Sequence, residues 1–176
     1  GVWTRDGKRY VYNHFEVDTK WNISVYNRES GTHEPLAVTE KTEWGPRISP
    51  DDKWVAFTKD ITGGAYEVFV IPIDGGIPQQ VSFNNGLEPV WAADGKELIY
   101  RQGRKLIGRK LKSLTAVSFG EPYVIYKGDF LGIPGHSYDA SPDGKRFLVV
   151  KEVYPQGDSQ KLKIITHWSS KFQNKP

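Results

Sequence analysis

The chain has 176 residues, of which 38% are apolar, 26% charged and 13% aromatic, and its net charge is +3. This length suits one domain at about 150 residues per domain, and the apolar content excludes a disordered chain. The small charge argues against nucleic acid as a partner, and the absence of cysteine excludes disulfide scaffolds and thiolate metal sites. No apolar run is long enough to span a membrane, so we expect a soluble globular domain.

A turn signature occurs four times along the chain, at residues 2–8, 47–53, 90–96 and 139–145. Each copy carries an aspartate at the same place: Asp6, Asp51, Asp94 and Asp143. The aspartates follow one another at intervals of 45, 43 and 49 residues, which matches a four-stranded propeller blade of about 40–45 residues. Their identical place in every repeat indicates turn chemistry rather than a cluster of carboxylates for acid–base catalysis.

Each signature is expected to close a hairpin between a first and a second strand, because Asp, Gly and Pro are typical turn residues. Second strands are predicted at 9–12, 54–57, 98–100 and 147–150, and third strands at 21–26, 66–71, 105–109 and 162–166. Short fourth strands follow at 35–39, 78–82 and 122–126. The predicted blades are 1–44, 45–87, 88–135 and 136–168, the last with three strands, followed by a basic tail at 169–176.

The predicted fold is therefore all-β, a β-propeller of four-stranded antiparallel blades with four repeats present and the last blade lacking its outer strand. Such a propeller is partial or open, and its edges need cover from self-association or from missing upstream blades. The chain contains no methionine and begins with Gly1, which indicates a processed form or the C-terminal piece of a longer protein.

Segments 48–57 and 140–147 resemble the repeat of the TolB-type β-propellers. Two turns depart from it: Asp52 replaces the usual glycine, and Ala92-Ala93 replaces Ser-Pro. The ending at 161–168 is similar to the close of propellers at the C-terminus of large bacterial multidomain proteins. The resemblance implies six blades in a complete propeller, a periplasmic or other extracytoplasmic location, and a platform that binds proteins or small ligands. A minority of such propellers are enzymes, such as oligogalacturonate lyases, or gating domains of serine peptidases.

The connections from a fourth strand to the next first strand, at 42–47, 84–88 and 132–139, are expected to gather at one mouth of the propeller channel. Aromatic side chains beside charged ones suit recognition of a protein partner or small ligand there. The candidate binding residues are Glu43, Trp44, Arg47, Asn85, Glu88, His136, Tyr138 and Asp139. For Trp44 and Tyr138 the alternative is packing between blades.

The leading functional hypothesis is a non-catalytic binding platform without metal or cofactor. The chain has no G-x-S-x-G motif and no histidine pair at metal-ligand spacing. The alternative is a propeller enzyme, such as a polysaccharide lyase that uses His136 with a metal ion.

A basic segment at 101–112 leaves two interpretations open. Its six cationic side chains suit contacts to phosphates, or the solvated face and edge protection of a strand. They are Arg101, Arg104, Lys105, Arg109, Lys110 and Lys112. The net charge of only +3 argues against nucleic acid.

Overall fold

A computed structural model describes residues 1–113, 117–132, 135–141 and 146–151. Within these ranges the protein consists of antiparallel strands and turns and contains no helix. The described residues therefore include no helix that could cross a membrane. The strands form successive sheets that are not closed into a ring, which confirms the predicted all-β, partial or open propeller.

The first two sheets each contain four strands in chain order. Blade 1 consists of β1 (Val2–Trp3), β2 (Arg9–Glu16), β3 (Lys20–Asn27) and β4 (His33–Ala37). Blade 2 consists of β5 (Glu43–Ile48), β6 (Trp54–Asp60), β7 (Tyr66–Pro72) and β8 (Gln79–Gln80).

The third sheet has one strand more than the sequence predicts. Blade 3 consists of β9 (Gly86–Trp91), β10 (Glu97–Gln102), β11 (Lys105–Ser113), β12 (Ser118–Phe119) and β13 (Tyr123–Lys127). The first half of β11 pairs with β13, and its far end continues beyond that partner and pairs with the unpredicted β12. A long third strand thus provides an edge for two short partners.

The described part of blade 4 consists of β14 (Tyr138–Ala140) and β15 (Phe147–Val149), which pair antiparallel. The third strand predicted at 162–166 and the tail predicted at 169–176 lie outside the described residues.

The signature aspartates act in the turns, as predicted. Asp6 Oδ1 accepts hydrogen bonds from Thr4 Oγ1 at 2.6 Å and from the backbone N–H of Lys8 at 3.0 Å. These bonds, that from Thr4 first, lower the pKa of Asp6. Asp51 and Asp94 likewise accept the backbone N–H two residues further on, at 3.3 and 2.9 Å. Asp143 lies outside the described residues.

Asp52 keeps the backbone conformation of the glycine that it replaces in the signature. Its φ is 58°, against 67° for Gly7 and 69° for Gly95. Its carboxylate accepts the backbone N–H of Arg5 in blade 1 at 2.9 Å. A contact between neighbouring blades thus offsets the cost of a left-handed conformation for a residue with a side chain.

The blades pack face to face, and each interface holds an apolar core. Val11 and Val25 of blade 1 pack against Val55 and Phe57 of blade 2. On the other face of β6, Ala56 belongs to the core shared with blade 3. Because alternate residues of a strand face opposite sides of its sheet, blade 2 is apolar and buried on both faces. A third core joins blade 3 to β14 and β15.

Candidate functional site

An open cleft of about 560 Å³ lies at the end of the propeller where the chain enters the first strand of each blade. Three aromatic side chains line it: Trp21 from β3, Trp44 from β5 and Tyr66 from β7. The Trp44 and Tyr66 rings meet edge to face, with centroids 6.5 Å apart. The other lining residues are Asn13, Thr42, Gly45, Leu87, Glu88, Arg101 and Gly135. We call this site the mouth cleft.

The acidic side chain of the mouth cleft, Glu88, is buried and fully paired. Arg101 donates to its Oε1 from Nη2 at 2.6 Å and from Nε at 3.0 Å. Ser137 donates to its Oε2 from the backbone N–H at 2.9 Å and from Oγ at 2.5 Å. The carboxylate therefore joins blade 3 to the start of blade 4 and has little capacity left for a ligand.

The backbone of Glu88 is held as firmly as its side chain. Its N–H donates to Thr58 Oγ1 of blade 2 at 3.2 Å, and its carbonyl accepts the Tyr138 hydroxyl at 2.7 Å. Tyr138 is buried, and its hydroxyl also lies 3.1 Å from the Ile99 carbonyl. Burial raises the pKa of this hydroxyl well above its usual value, so it remains protonated and donates. Tyr138 thus acts in packing, the alternative considered from the sequence.

Glu43 takes a comparable place between blades 1 and 2. It is buried, and its Oε1 accepts from Thr39 Oγ1 at 2.6 Å and pairs with Lys59 Nζ at 3.3 Å. Asn13 of β2 donates to the Glu43 carbonyl at 3.0 Å and accepts the Gly45 N–H at 3.2 Å. This cross-blade network positions the strand that carries Trp44.

A β-bulge changes the direction of β5 where this strand borders the mouth cleft. The register of β5 on β6 shifts between Trp44 and Arg47, and Gly45 has a φ of 66°. Glu88 lies six residues before Asp94, just as Gly45 lies six residues before Asp51. Its φ is 57°. Bulges next to functional sites often redirect one side chain in this way.

His136 lies against Gly45 and is neutral at pH 7. Its Cε1 is 3.3 Å from the position that a Cβ on Gly45 would take, and its Nε2 is buried without a hydrogen-bond partner among the described residues. Burial is the main cause that lowers the pKa of His136 to about 4, and the positive charge of Arg47 adds to the shift. The charges of Glu88 and Asp139 oppose it. No group of three or more His, Asp or Glu side chains in the described ranges is placed to hold a metal ion.

The low pKa of His136 predicts that the fold loses stability in acid. In the unfolded chain this histidine has its usual pKa of 6.5, whereas in the folded protein its pKa is about 4. Between these two values the unfolded chain binds a proton that the folded protein does not bind, so native stability falls as the pH falls from 6.5 to about 4. We expect wild type to lose about 2–3 kcal/mol more than His136→Gln between pH 7 and pH 4. Urea unfolding at the two pH values measures the difference, with His33→Gln as the control for loss of an exposed histidine. Equal pH dependence in wild type and His136→Gln would contradict the assignment.

The predicted site residues separate into groups. Trp44 and Glu88 line the mouth cleft, and Glu43 and His136 lie directly behind it. Arg47 and Asp139 instead line a second cleft, of about 220 Å³, which also contains Trp3 and the signature residue Pro50. Asn85 precedes β9, and its backbone N–H donates to the buried carboxylate of Glu67 at 3.0 Å.

The placement of these residues on connecting loops was wrong for most of them. Glu43, Trp44 and Arg47 belong to β5, Glu88 belongs to β9, and Tyr138 and Asp139 belong to β14. Gly45-Pro46 and Glu88-Pro89 look like loop dipeptides, but the strand pairing continues through them as a bulge.

Sequence reasoning missed the residues that come from the hairpins between second and third strands. Asn13 and Trp21 lie near the tip of one such hairpin, and Tyr66 and Arg101 flank two others. A second strand ends at the same end of the blade at which the first strand begins, because the two are antiparallel. Tracing strand directions would therefore have placed these side chains at the same mouth.

The basic segment contributes to the fold. Arg101 pairs with Glu88, and Arg104 pairs with Asp129 at 2.6 Å. Arg109 donates from Nε to the Gly120 carbonyl at 2.8 Å and from Nη1 to the Val81 carbonyl of the preceding blade. At least three of the six cations therefore have structural partners.

The successive sheets and their common mouth define a β-propeller fold, and solved TolB structures share it. Along 94% of this chain the fold is similar to TolB from Acinetobacter baumannii, with a TM-score of 0.69 and 22% identity, and the match covers 40% of that TolB chain. A putative TolB from Agrobacterium tumefaciens gives a TM-score of 0.57 at 19% identity, covering 81% of this chain and 53% of the other.

The chain is also similar in sequence to a protein named as a peptidase. Over 106 residues this chain is 30% identical to the uncharacterized peptidase YuxL of Bacillus subtilis, a match that covers 53% of this chain. The chain spans only 15% of that relative's length. No family model matches the chain.

Proposed function

We propose that this protein is a non-catalytic platform whose mouth cleft binds a protein partner or a small ligand. The observation that carries the proposal is a contrast within the cleft. Its aromatic side chains, Trp21, Trp44 and Tyr66, face open space, whereas Glu88 and Asn13 are engaged by other protein groups. Recognition would therefore rest on aromatic contact and apolar burial.

The chemistry of the cleft favours an apolar or aromatic side chain of a protein segment as its ligand. A volume of about 560 Å³ is within the usual range of ligand pockets. A sugar would need several free donors and acceptors, but Arg101, Glu88 and Asn13 already have protein partners. Likeness to TolB structures supports a periplasmic location for such a platform.

The second candidate is that this chain is the propeller portion of a longer peptidase, which the 30% identity to the Bacillus subtilis relative favours. In that case the mouth cleft would contact peptide substrates, and the cleavage chemistry would belong to another part of the protein. Both candidates make the cleft a peptide-contacting surface. They differ in what accompanies the propeller.

Peptide selection tests the proposed site. Random short peptides displayed on phage, selected on the wild-type chain, should be enriched in aromatic or aliphatic residues and should bind the mouth cleft. Trp44→Ala should weaken binding of the selected peptides at least about tenfold, as expected for a central aromatic anchor. Isothermal titration calorimetry measures the affinities.

The matched control is Trp3→Ala, which removes an exposed tryptophan that lines the second cleft rather than the mouth cleft. It should leave the affinity of the selected peptides unchanged. Peptides that bind Trp44→Ala as tightly as wild type would place the site elsewhere, and a selection that enriches nothing would argue against a protein segment as the ligand.

A further inference from the structure

Blade 1 has an aromatic face on the side away from blade 2. Val11 points into the core shared with blade 2, so its neighbours Tyr10 and Tyr12 point the other way. The Trp3 and Tyr10 rings are 4.9 Å apart, and the Tyr10 and Tyr12 rings stack at 5.9 Å. Trp3 is 47% exposed. We call Trp3, Tyr10, Tyr12 and Tyr26 the aromatic face.

The positions of blades 2 and 3 that are equivalent to the aromatic face lie in the interfaces between blades. Counted from the signature aspartates, Tyr10 corresponds to Val55 in blade 2, and Tyr12 corresponds to Phe57. The strand register agrees, because Tyr10 pairs with Tyr26 as Val55 pairs with Ile71. The corresponding positions in blades 2 and 3 are buried in the core shared with the preceding blade: Val55, Phe57, Leu98 and Tyr100. The aromatic face is therefore an inter-blade face by position.

The residue equivalent to Trp3 makes a polar contact across its own interface. Trp3 corresponds to Trp91 of blade 3, which is buried and donates from Nε1 to the Arg47 carbonyl of blade 2 at 3.1 Å. In an equivalent interface, the Trp3 indole would donate to the backbone carbonyl four residues before a signature aspartate of the adjoining blade.

The same chain carries the complementary face on blade 4. Leu148 corresponds to Val11, Ala56 and Ile99, which are buried against the following blade. Leu148 instead is 46% exposed. The carbonyl that corresponds to that of Arg47 belongs to Asp139, which lies beside Leu148 in the β14–β15 pair. The described residues of one chain thus include both halves of an inter-blade interface, with Trp3 and Leu148 exposed and the three tyrosines half-buried.

We propose that blade 1 of one molecule packs on blade 4 of a second copy of this chain, with Trp3 Nε1 donating to the Asp139 carbonyl of that copy. The aromatic face meets Leu148 as Val55 and Phe57 meet Val11 within one chain. The interface is heterologous, because it joins two different surfaces, so the assembly closes into a ring or continues as a chain of molecules.

Sedimentation velocity of the 176-residue chain tests the proposal. Wild type should associate as its concentration rises from about 1 to about 100 μM, a range that reports dissociation constants typical of modest interfaces. Tyr12→Asp and Leu148→Asp should each weaken association at least about tenfold, because each places a charge in an apolar contact. Phe83→Asp, an exposed aromatic outside both faces, is the matched control and should associate like wild type.

A mixture of the two disrupted variants makes the test specific. Each variant retains one intact face, so an equimolar mixture of Tyr12→Asp and Leu148→Asp should form a one-to-one dimer that neither forms alone. Far-ultraviolet circular dichroism confirms that both variants are folded. A wild type that stays monomeric throughout, or a mixture that stays monomeric, would overturn the proposal and would mean that a blade from another polypeptide segment covers the aromatic face.

Discussion

Replacing Glu88 with glutamine is expected to lower the free energy of unfolding by about 3–5 kcal/mol. The substitution keeps the shape of the side chain but removes the charge that compensates the Arg101 guanidinium. It also replaces one carboxylate oxygen with an amide NH2 group, which cannot accept the Ser137 N–H. Blades 2, 3 and 4 all contact this residue through side chain or backbone, so the loss should appear in the global transition. Urea unfolding followed by tryptophan fluorescence measures it.

A matched glutamate separates this effect from loss of a charge. Glu29→Gln removes the partner of Lys8 in an exposed ion pair, and we expect its effect to be too small to resolve beside that of Glu88→Gln. If Glu88 were instead held ready for a ligand or for catalysis, its removal would leave stability unchanged or raise it. That result would return Glu88 to the functional role that the sequence assigned to it.

Replacing Phe57 with alanine is expected to lower the free energy of unfolding by about 3–5 kcal/mol. Phe57 is fully buried between blades 1 and 2, where its ring stacks near Phe69 with centroids 6.0 Å apart. Neighbouring strands cannot collapse far into the vacated space, because both sheets are fixed by their ladders. Chemical denaturation at constant pH measures the change.

Phe15→Ala is the control for this prediction. Phe15 is 59% exposed and contacts Trp21 near the mouth cleft, so its removal should change the free energy of unfolding by less than about 1 kcal/mol. Comparable losses for the two variants would mean that the faces between blades do not form the core of this protein.

The fold was predictable because turn chemistry repeats. The aspartates at positions 6, 51 and 94 accept backbone N–H groups in equivalent turns, and their spacing alone defines the blade period. The fifth strand of blade 3 was not predictable, because β12 has only two residues and pairs with an extension of β11. Two residues carry no periodic signal.

The site was predictable only in part, because charge in a sequence does not reveal whether it is paired. Glu43 and Glu88 look like recognition residues beside aromatic ones, yet their partners Lys59 and Arg101 are many residues away in the chain. Trp44 was among the predicted site residues because the sequence placed it in a connection, although it belongs to β5, whereas Trp21 and Tyr66 were predicted as strand residues. Their shared location depends on strand direction and not on any local motif.

The indole N–H signals of the tryptophans report directly on whether the mouth cleft is the binding site. Assigned two-dimensional ¹⁵N–¹H spectra of the wild-type chain, recorded with and without a selected peptide, report on each indole separately. We predict that the signals of Trp44 and Trp21 move on binding, while those of Trp3 and Trp91, which lie away from the cleft, do not. Movement of the Trp3 signal with those of Trp44 and Trp21 unchanged would place the binding site away from the mouth cleft.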